Sequence, residues 1–237
     1  MERSASYTLR FAAIVGVVAS SVVGTAAVVL ASRQEENRLL DRRARVLDVA
    51  GLAVPGERLS RAEVTRRFEQ SVRPVVVELA TGEAVSEGDP STFDQRRAAR
   101  DPLTSRLAPA NTAGVSRLPE RVLVFHVIRD GALDALVLPF EGVGLWSTMY
   151  GYVALSADLS RVLGITFYEH AETAGLGAQV SDPEWRALWV GRRMFDDDGE
   201  PALRVVKGRA PPADEAPLEV DGISGATLTG NGVTRAL

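Results

Sequence analysis

The residues with the most chemical potential lie near the end of the chain, in the segment Asp221-Gly-Ile-Ser-Gly-Ala-Thr227. Gly225 and Ala226 have almost no side chain, so they leave space beside the Thr227 hydroxyl. We predict Ser224 as the N-cap of a helix whose first turn contains Thr227. Backbone N–H groups of such a turn favour anions, so a phosphate on Thr227 would be stabilised there. The alternative is that Ser224 only caps the helix and Thr227 has no chemical role.

Two histidines and two further glycine-rich stretches are the other candidate positions. His126 lies within a predicted strand and is interpreted as structural, whereas His170 ends another strand. Residues 142–146 and 173–177 contain glycines that allow the backbone to approach a ligand closely. Each of these stretches is also compatible with an ordinary turn.

A serine hydrolase is a poor interpretation of these residues. Residues 222–226 fall one residue short of a G-x-S-x-G elbow, and His170 would have to be the base. The elbow should follow a buried strand of a parallel sheet, but several prolines lie just upstream. In that fold the histidine follows the serine, whereas here it precedes Ser224. We therefore predict no catalytic residue.

Composition excludes several classes of site. The chain has 237 residues, no cysteine and a formal net charge of −4. Without cysteine there is no disulfide, no thiolate-bound iron–sulfur cluster and no cysteine zinc site. Nucleic-acid binding usually needs a basic face, which this charge gives no reason to expect. We predict no metal site and no nucleic-acid partner.

One stretch is suited to crossing a membrane, because residues 11–31 contain no charged side chain. As a helix rising about 1.5 Å per residue it would span roughly 31 Å, close to the hydrocarbon thickness of a bilayer. A cleaved signal peptide is the competing interpretation, but the apolar run is longer than such peptides usually have. We predict a short cytoplasmic N-terminus at residues 1–10 and a retained transmembrane helix at residues 11–31.

The remaining pattern predicts an α+β fold with a mostly antiparallel sheet. A juxtamembrane helix is expected at residues 32–51 and one further domain at residues 52–237. Helices are also predicted from the capping box Ser60-Arg-Ala-Glu63 to about Gln70 and after Asp182-Pro183. Strands are predicted at residues 75–79, 121–128, 133–138, 149–155, 162–168 and 203–206. Residues 86–114 are expected to form a long surface loop, and Trp185 and Trp189 are expected in the core.

The sequence resembles the FMN-binding-domain family that contains the C subunits of sodium-translocating NADH:quinone reductases and related subunits of Rnf complexes. Residues 144–151, 164–170, 172–177 and 221–229 carry the resemblance, which covers nearly the whole chain. The last motif is the most specific, because it matches the flavinylation signal of an aspartate followed three residues later by Ser/Thr-Gly-Ala-Thr. The resemblance implies FMN attached covalently to Thr227 through a phosphodiester, rather than to Ser224 or Thr229.

The resemblance also implies a set of non-covalent contacts to the cofactor. Contacts to the flavin are expected from Leu145, Trp146, Thr173, Leu176 and Gly177, with polar contacts from Glu172 and Lys207. The remaining members of the expected cofactor-binding set are Ser224, Gly225, Ala226, Leu228 and Thr229. Ala174 stands where the family usually has proline, which weakens the expected rigidity of that loop. Relatives usually run on beyond the position of Leu237, which suggests a truncated C-terminus.

The function that the resemblance implies is electron relay within a sodium-transporting NADH:ubiquinone reductase, in which this protein is not catalytic on its own. Electrons would pass from an iron–sulfur centre in the small membrane subunits to the flavin of the B subunit. The implied partners are the A, B, D, E and F subunits, chiefly B, D and E, together with a flavin transferase that uses FAD.

That transferase acts outside the cytoplasmic membrane, so the resemblance places the domain on the periplasmic side of a bacterial inner membrane. The many arginines after residue 31 would by themselves favour the cytoplasm, although long domains weaken this rule. The competing function is a membrane-anchored extracytoplasmic binding or sensor domain without a redox role. It is consistent with one anchor, one soluble domain and the lack of an obvious catalytic dyad.

Overall fold

The computed structural model describes residues 5–54 and 56–237, so the first four residues of the predicted cytoplasmic N-terminus lie outside the described part. The chain divides into two compact units, one ending at Arg42 and one comprising Arg43–Leu237. Its helices are α1 (Ala5–Val49), α2 (Arg61–Ser71), α3 (Gln95–Arg100), α4 (Pro183–Ala187) and α5 (Thr227–Ala236). Short 3-10 turns cover Pro90–Thr92 and Gly177–Ser181.

Nine strands make up the β-structure of the described residues. They are β1 (Val72–Glu78), β2 (Ser105–Leu107), β3 (Arg117–Pro119), β4 (Arg121–Arg129), β5 (Ala132–Val143), β6 (Thr148–Ser156), β7 (Val162–Glu169), β8 (Arg204–Val205) and β9 (Glu219–Val220). Five of them form one antiparallel sheet in the order β1-β4-β5-β6-β7. The prediction of an α+β fold with a mostly antiparallel sheet is therefore confirmed.

Helix α1 is continuous over 45 residues, so the predicted transmembrane and juxtamembrane helices are one element. Its stretch Ala5–Ala31 has a mean hydropathy of 2.3 and is long and apolar enough to cross a membrane. The end of the helix belongs to the second unit, where Val46, Leu47 and Val49 are buried. The apolar spacing predicted for this part of the helix therefore serves the core of the domain.

Local capping signals place the next elements. Ser60 caps α2 by accepting a hydrogen bond from the Glu63 N–H at 3.3 Å, which confirms the predicted helix start. The Glu63 carboxylate binds Arg66 and Arg67. Strand β1 contains Pro74, which is tolerated because β1 is the edge of the sheet.

The expectation of one long surface loop at residues 86–114 is wrong. The segment contains a 3-10 turn, α3 and β2. Asp89 and Asp94 each accept a backbone N–H bond at a helix start, from Ser91 and Arg97 respectively. These short caps give local order to a segment that lacks hydrophobic periodicity.

One large hydrophobic cluster of the core lies between a face of the sheet and the segments that follow β7. Trp185 and Trp189 pack against each other there, with only 7% and 0% of their surface exposed, which confirms their predicted core position. The Trp185 indole N–H donates to the Asp221 carbonyl at 2.9 Å. Asp182 caps α4 with Pro183 as its first residue, as predicted. The core therefore connects directly to the beginning of the segment 221–227.

Candidate functional site

Thr227 is the first residue of α5, and its side chain is exposed. The N-cap is Ala226, and no side chain hydrogen-bonds to the helix start, so the prediction of Ser224 as N-cap is wrong. The physical reason is a tight turn: the Ala226 N–H donates to the Ile223 carbonyl at 3.1 Å, with Gly225 at a φ of 72°. Ser224 is thereby placed inside the turn and is itself exposed.

The beginning of α5 retains free hydrogen-bonding capacity. Its first backbone bond runs from the Gly230 N–H to the Ala226 carbonyl at 3.0 Å. The earlier N–H groups of the first turn, including that of Thr227, have no side-chain cap. Such a turn binds anions through these N–H groups and through the helix dipole. The Thr227 hydroxyl therefore lies where an attached phosphate would be stabilised.

A cleft of about 480 Å³ lies beside Thr227. Its polar and charged lining consists of Lys207, Arg209, Asp221, Ser224, Thr227 and Asn231. The segments that follow the parallel strands β8 and β9 form one wall, and the Gly222 N–H donates to the Gly208 carbonyl at 2.7 Å between them. The Asp221 carboxylate accepts the Ala210 N–H at 3.0 Å. Asp221 therefore fixes the wall of the cleft, while two cations remain to attract an anion.

Four large apolar side chains near the same helix start are exposed. The exposed fractions are 44% for Leu145, 68% for Trp146, 44% for Leu176 and 58% for Leu228. Leu176 lies against the turn before Thr227, since a Cβ atom built on Gly225 would be 2.9 Å from its Cδ2 atom. We call Leu145, Trp146, Leu176 and Leu228 the apolar wall. Exposed apolar side chains that lie close together are typical of ligand and partner contacts.

A buried carboxylate holds part of this wall. Glu172 is only 7% exposed. Its Oε1 atom accepts the backbone N–H groups of Leu145 and Trp146, each at 3.0 Å, and its Oε2 atom accepts the Thr229 hydroxyl. The Trp146 indole N–H also donates to the Thr173 hydroxyl at 3.1 Å. The loop 144–147 is therefore hydrogen-bonded both to the segment after β7 and, through Glu172, to α5.

Glycines provide the space that this arrangement needs. A Cβ atom on Gly144 would be 2.5 Å from Glu172 Oε1, and one on Gly177 would be 2.8 Å from Glu172 Oε2. Ala174 does not prevent the turn around Gly175, because the Leu176 and Ala178 N–H groups both donate to the Thr173 carbonyl at 3.1 Å. The turn therefore forms with alanine at position 174.

His170 supports the same loop through its ring nitrogens. Nε2 lies 2.8 Å from the Ser181 hydroxyl, and Nδ1 accepts the Glu172 N–H at 3.3 Å. Both nitrogens are thus engaged, which fits a structural role. His126 lies in β4, half-buried and paired with Leu136 in the middle of β5, away from the end of β5 that leads into the loop 144–147. Among residues 5–54 and 56–237, no three side chains of the metal-ligating types His, Cys, Asp and Glu come together to form a metal site.

The structure thus brings most of the predicted site residues into two groups around the start of α5. Leu145, Trp146, Glu172, Thr173 and Thr229 share one hydrogen-bonded network, and the buried Gly177 packs against Glu172 and the buried Thr229. Lys207 and Ser224 line the cleft instead. Gly225 and the buried Ala226 form the turn that separates the hydrogen-bonded network from the cleft. Leu228 follows Thr227 and is exposed.

Comparisons with known proteins agree with this architecture. A family model described as FMN-binding domain matches residues 144–237. The C subunit of the Na(+)-translocating NADH-quinone reductase of Pseudomonas aeruginosa is 43% identical over 239 residues, covering 100% of this chain and 91% of that protein. The corresponding protein of Yersinia pestis is 46% identical, covering 95% of this chain and 84% of that protein. The chain belongs to the family of Na(+)-translocating NADH-quinone reductase C subunits.

Solved structures of this C-subunit family share the fold. The Shewanella oneidensis protein is 38% identical with a TM-score of 0.77, over 86% of this chain and 90% of that one. The Parabacteroides distasonis protein is 28% identical with a TM-score of 0.67, over 88% and 91%. The FMN-binding domain match begins at Gly144, directly after β5, and includes all the predicted site residues.

The cleft beside Thr227 is also lined by Arg209 and Asn231, which were not among the site residues predicted from the sequence. Arg209 lies beyond the strand predicted at residues 203–206, and the parallel pairing of β8 with β9 brings it to the cleft. Asn231 lies one helical turn after Thr227 in α5. That spacing is visible in the sequence, so Asn231 could have been found from the periodicity of the helix.

Proposed function

We propose that this chain binds FMN covalently at Thr227 and relays electrons within a membrane-bound sodium-translocating NADH-quinone reductase. The observation that carries the proposal is the position of Thr227. Its exposed hydroxyl lies at the uncapped start of α5, beside both a cleft with two cations and the apolar wall. Membership of the C-subunit family and the FMN-binding domain match support the same conclusion.

The residues around Thr227 fit the chemical parts of FMN. N–H groups of the first turn of α5, together with Lys207 and Arg209, would hold the phosphodiester. Leu145, Trp146 and Leu176 offer apolar surface to the isoalloxazine, and Thr173 adds a hydroxyl beside Trp146. FMN itself supplies the redox chemistry, and the protein supplies position and electrostatics.

Attachment is a single group transfer. The Thr227 oxygen forms a bond to the FMN phosphorus of FAD, the bond between that phosphorus and AMP breaks, and the hydroxyl proton is released. A flavin transferase would catalyse this step, so no residue of this chain needs to act as a base. During electron relay the chain only orients the cofactor, which is consistent with the absence of a predicted catalytic residue.

The proposed setting is a bacterial inner membrane. Residues 11–31 would be its transmembrane segment, residues 1–10 would be cytoplasmic, and residues 32–51 and 52–237 would be the juxtamembrane helix and the FMN-binding domain on the periplasmic side. Helix α1 supports the anchor by its length and hydropathy. The proposed partners are the A, B, D, E and F subunits of the reductase, chiefly B, D and E.

Co-expression with an active flavin transferase tests the attachment. On a denaturing gel, flavin fluorescence is expected to remain with the band, and the intact mass should exceed the sequence mass by one FMN minus one water. Thr227→Ala is expected to lose both signals, whereas the matched control Ser224→Ala, also exposed in the same segment, should retain them. Covalent flavin on the Thr227→Ala protein would refute the assignment. An unmodified wild-type chain would favour a binding or sensor domain without a redox role.

A further inference from the structure

Glu172 has an unusual environment for a residue in an open site. It is 7% exposed, and both carboxylate oxygens accept hydrogen bonds. Two of its donors are successive backbone N–H groups in the loop 144–147, and the third is the Thr229 hydroxyl in α5. Charged groups inside proteins require such compensation, and removing it leaves the donors without partners.

We propose that Glu172 is a positioning residue, which does not contact the flavin but locks the loop 144–147 to α5. This rests on the proposed function, in which Trp146 and Thr227 must hold the same cofactor. The carboxylate connects the two directly: Trp146 is held through its backbone N–H, and Thr229 lies two residues after Thr227. Fixing these groups sets where the apolar wall stands relative to the attachment point.

The surroundings of Glu172 are shaped for a carboxylate of this length. Gly144 and Gly177 approach its two oxygens so closely that any Cβ atom would collide with them. The adjacent Thr173 holds the Trp146 indole N–H, so residues 172 and 173 together fix both the backbone and the ring of Trp146. The Glu172 backbone N–H is in turn held by His170.

Geometry and charge predict opposite outcomes for two conservative variants. In Glu172→Gln, the amide oxygen still accepts the Leu145 and Trp146 N–H groups, and the amide N–H group donates to the Thr229 hydroxyl oxygen. In Glu172→Asp the charge remains, but the side chain is one methylene too short to reach both partners. A positioning role therefore predicts that Gln preserves the loop and Asp releases it. A role through negative charge on the cofactor predicts the reverse.

The test uses the full chain in detergent, labelled with 5-fluorotryptophan and made without the flavin transferase. Fluorine NMR resolves three tryptophans, and Trp146→Phe identifies the resonance of Trp146. We expect this resonance to move toward the value of free 5-fluorotryptophan in Glu172→Asp and to stay in place in Glu172→Gln. The buried Trp185 and Trp189 report that each variant is folded. Glu184→Gln, at an exposed carboxylate, is the matched control and should leave Trp146 unchanged.

A second measurement uses the flavinylated proteins. Visible circular dichroism of the attached flavin is expected to be retained in Glu172→Gln and reduced in Glu172→Asp. A Trp146 resonance unchanged in a folded Glu172→Asp protein would overturn the proposal. An equal loss of the flavin circular dichroism in both variants would also overturn it. If Asp prevents folding, Thr229→Val, which removes one donor, should still shift the Trp146 resonance, and no shift would count against the proposal. The fluorine NMR experiment does not need attached FMN, so it can be interpreted even if the wild type is not flavinylated. The positioning role of Glu172 and the proposed covalent attachment can therefore fail separately.

Discussion

Replacing Gly177 with alanine is a direct test of the packing around Glu172. The added Cβ atom would lie 2.7 Å from Thr229 Oγ1, 2.8 Å from Glu172 Oε2 and 3.0 Å from Glu172 Cβ. Its φ lies outside the left-handed region, so the backbone itself accepts alanine. The whole effect therefore comes from the collision with a buried hydrogen bond.

The expected magnitude follows from two contributions. Overpacking a tight interior costs about 1–3 kcal/mol, and separating a hydrogen bond to a buried carboxylate costs about 1.5–3 kcal/mol. We expect Gly177→Ala to lower the free energy of unfolding by about 3 kcal/mol or more. Gly175→Ala is the matched control in the same turn, because its φ is 74° and no atom lies within 4 Å of its Cβ position. That change should cost only about 1–2 kcal/mol of backbone strain.

Urea unfolding of the full-length variants in one detergent, followed by fluorescence of the buried tryptophans, measures both effects. The midpoint should fall further for Gly177→Ala, with an unchanged denaturant slope. FMN attachment should also fall in this variant, because the clash separates Glu172 from α5. If Gly177→Ala were no less stable than Gly175→Ala, the close packing of Gly177 against the Glu172–Thr229 pair would be refuted.

Three further predictions concern individual side chains. Trp146→Phe should increase flavin fluorescence in the native holoprotein, because excited flavin takes an electron from a nearby indole; equal yields before denaturation would contradict the proposed contact. Lys207→Met should slow FMN attachment several-fold in time-resolved in-gel fluorescence, since it removes a positive charge from the cleft. Burial raises the pKa of Glu141 above 4.5, although Arg96 and Arg100 oppose this. The folded state therefore keeps the Glu141 proton to a higher pH than the unfolded chain does. The free energy of unfolding falls as pH rises from the pKa of the unfolded chain through that of the folded state. Glu141→Gln should be more stable than wild type at pH 7 but not at pH 3, and equal denaturant midpoints at pH 7 would contradict this.

Local signals in the sequence are reliable wherever a single turn decides the conformation. Ser60 and Asp182 cap their helices as predicted. The strands predicted at residues 121–128 and 133–138 are joined by a hairpin turn at Asp130-Gly131, with both residues at positive φ of 52° and 81° as the turn requires. These features depend on interactions within about four residues, which a pattern can represent.

One error is local, and the other features missed depend on distant segments. Ser224 has the right residue type for an N-cap, but the turn closed at Ala226 starts the helix two residues later. Strand β9 is two residues long, too short to leave a periodicity, yet its pairing with β8, which lies within the strand predicted at residues 203–206, brings the two segments of the cleft wall together. The burial of Glu172 depends on contacts 26 to 57 residues away, so nothing in its own segment reveals it.

The openness of the apolar wall has a consequence for affinity. Trp146 is 68% exposed, and so shallow a surface would hold a freely diffusing flavin only weakly. In the proposed holoprotein, the covalent bond at Thr227 would replace that equilibrium with an intramolecular one, at an effective concentration on the order of millimolar. The non-covalent contacts then need only to select an orientation. One edge of the isoalloxazine would then be free to stay uncovered for a redox partner to approach.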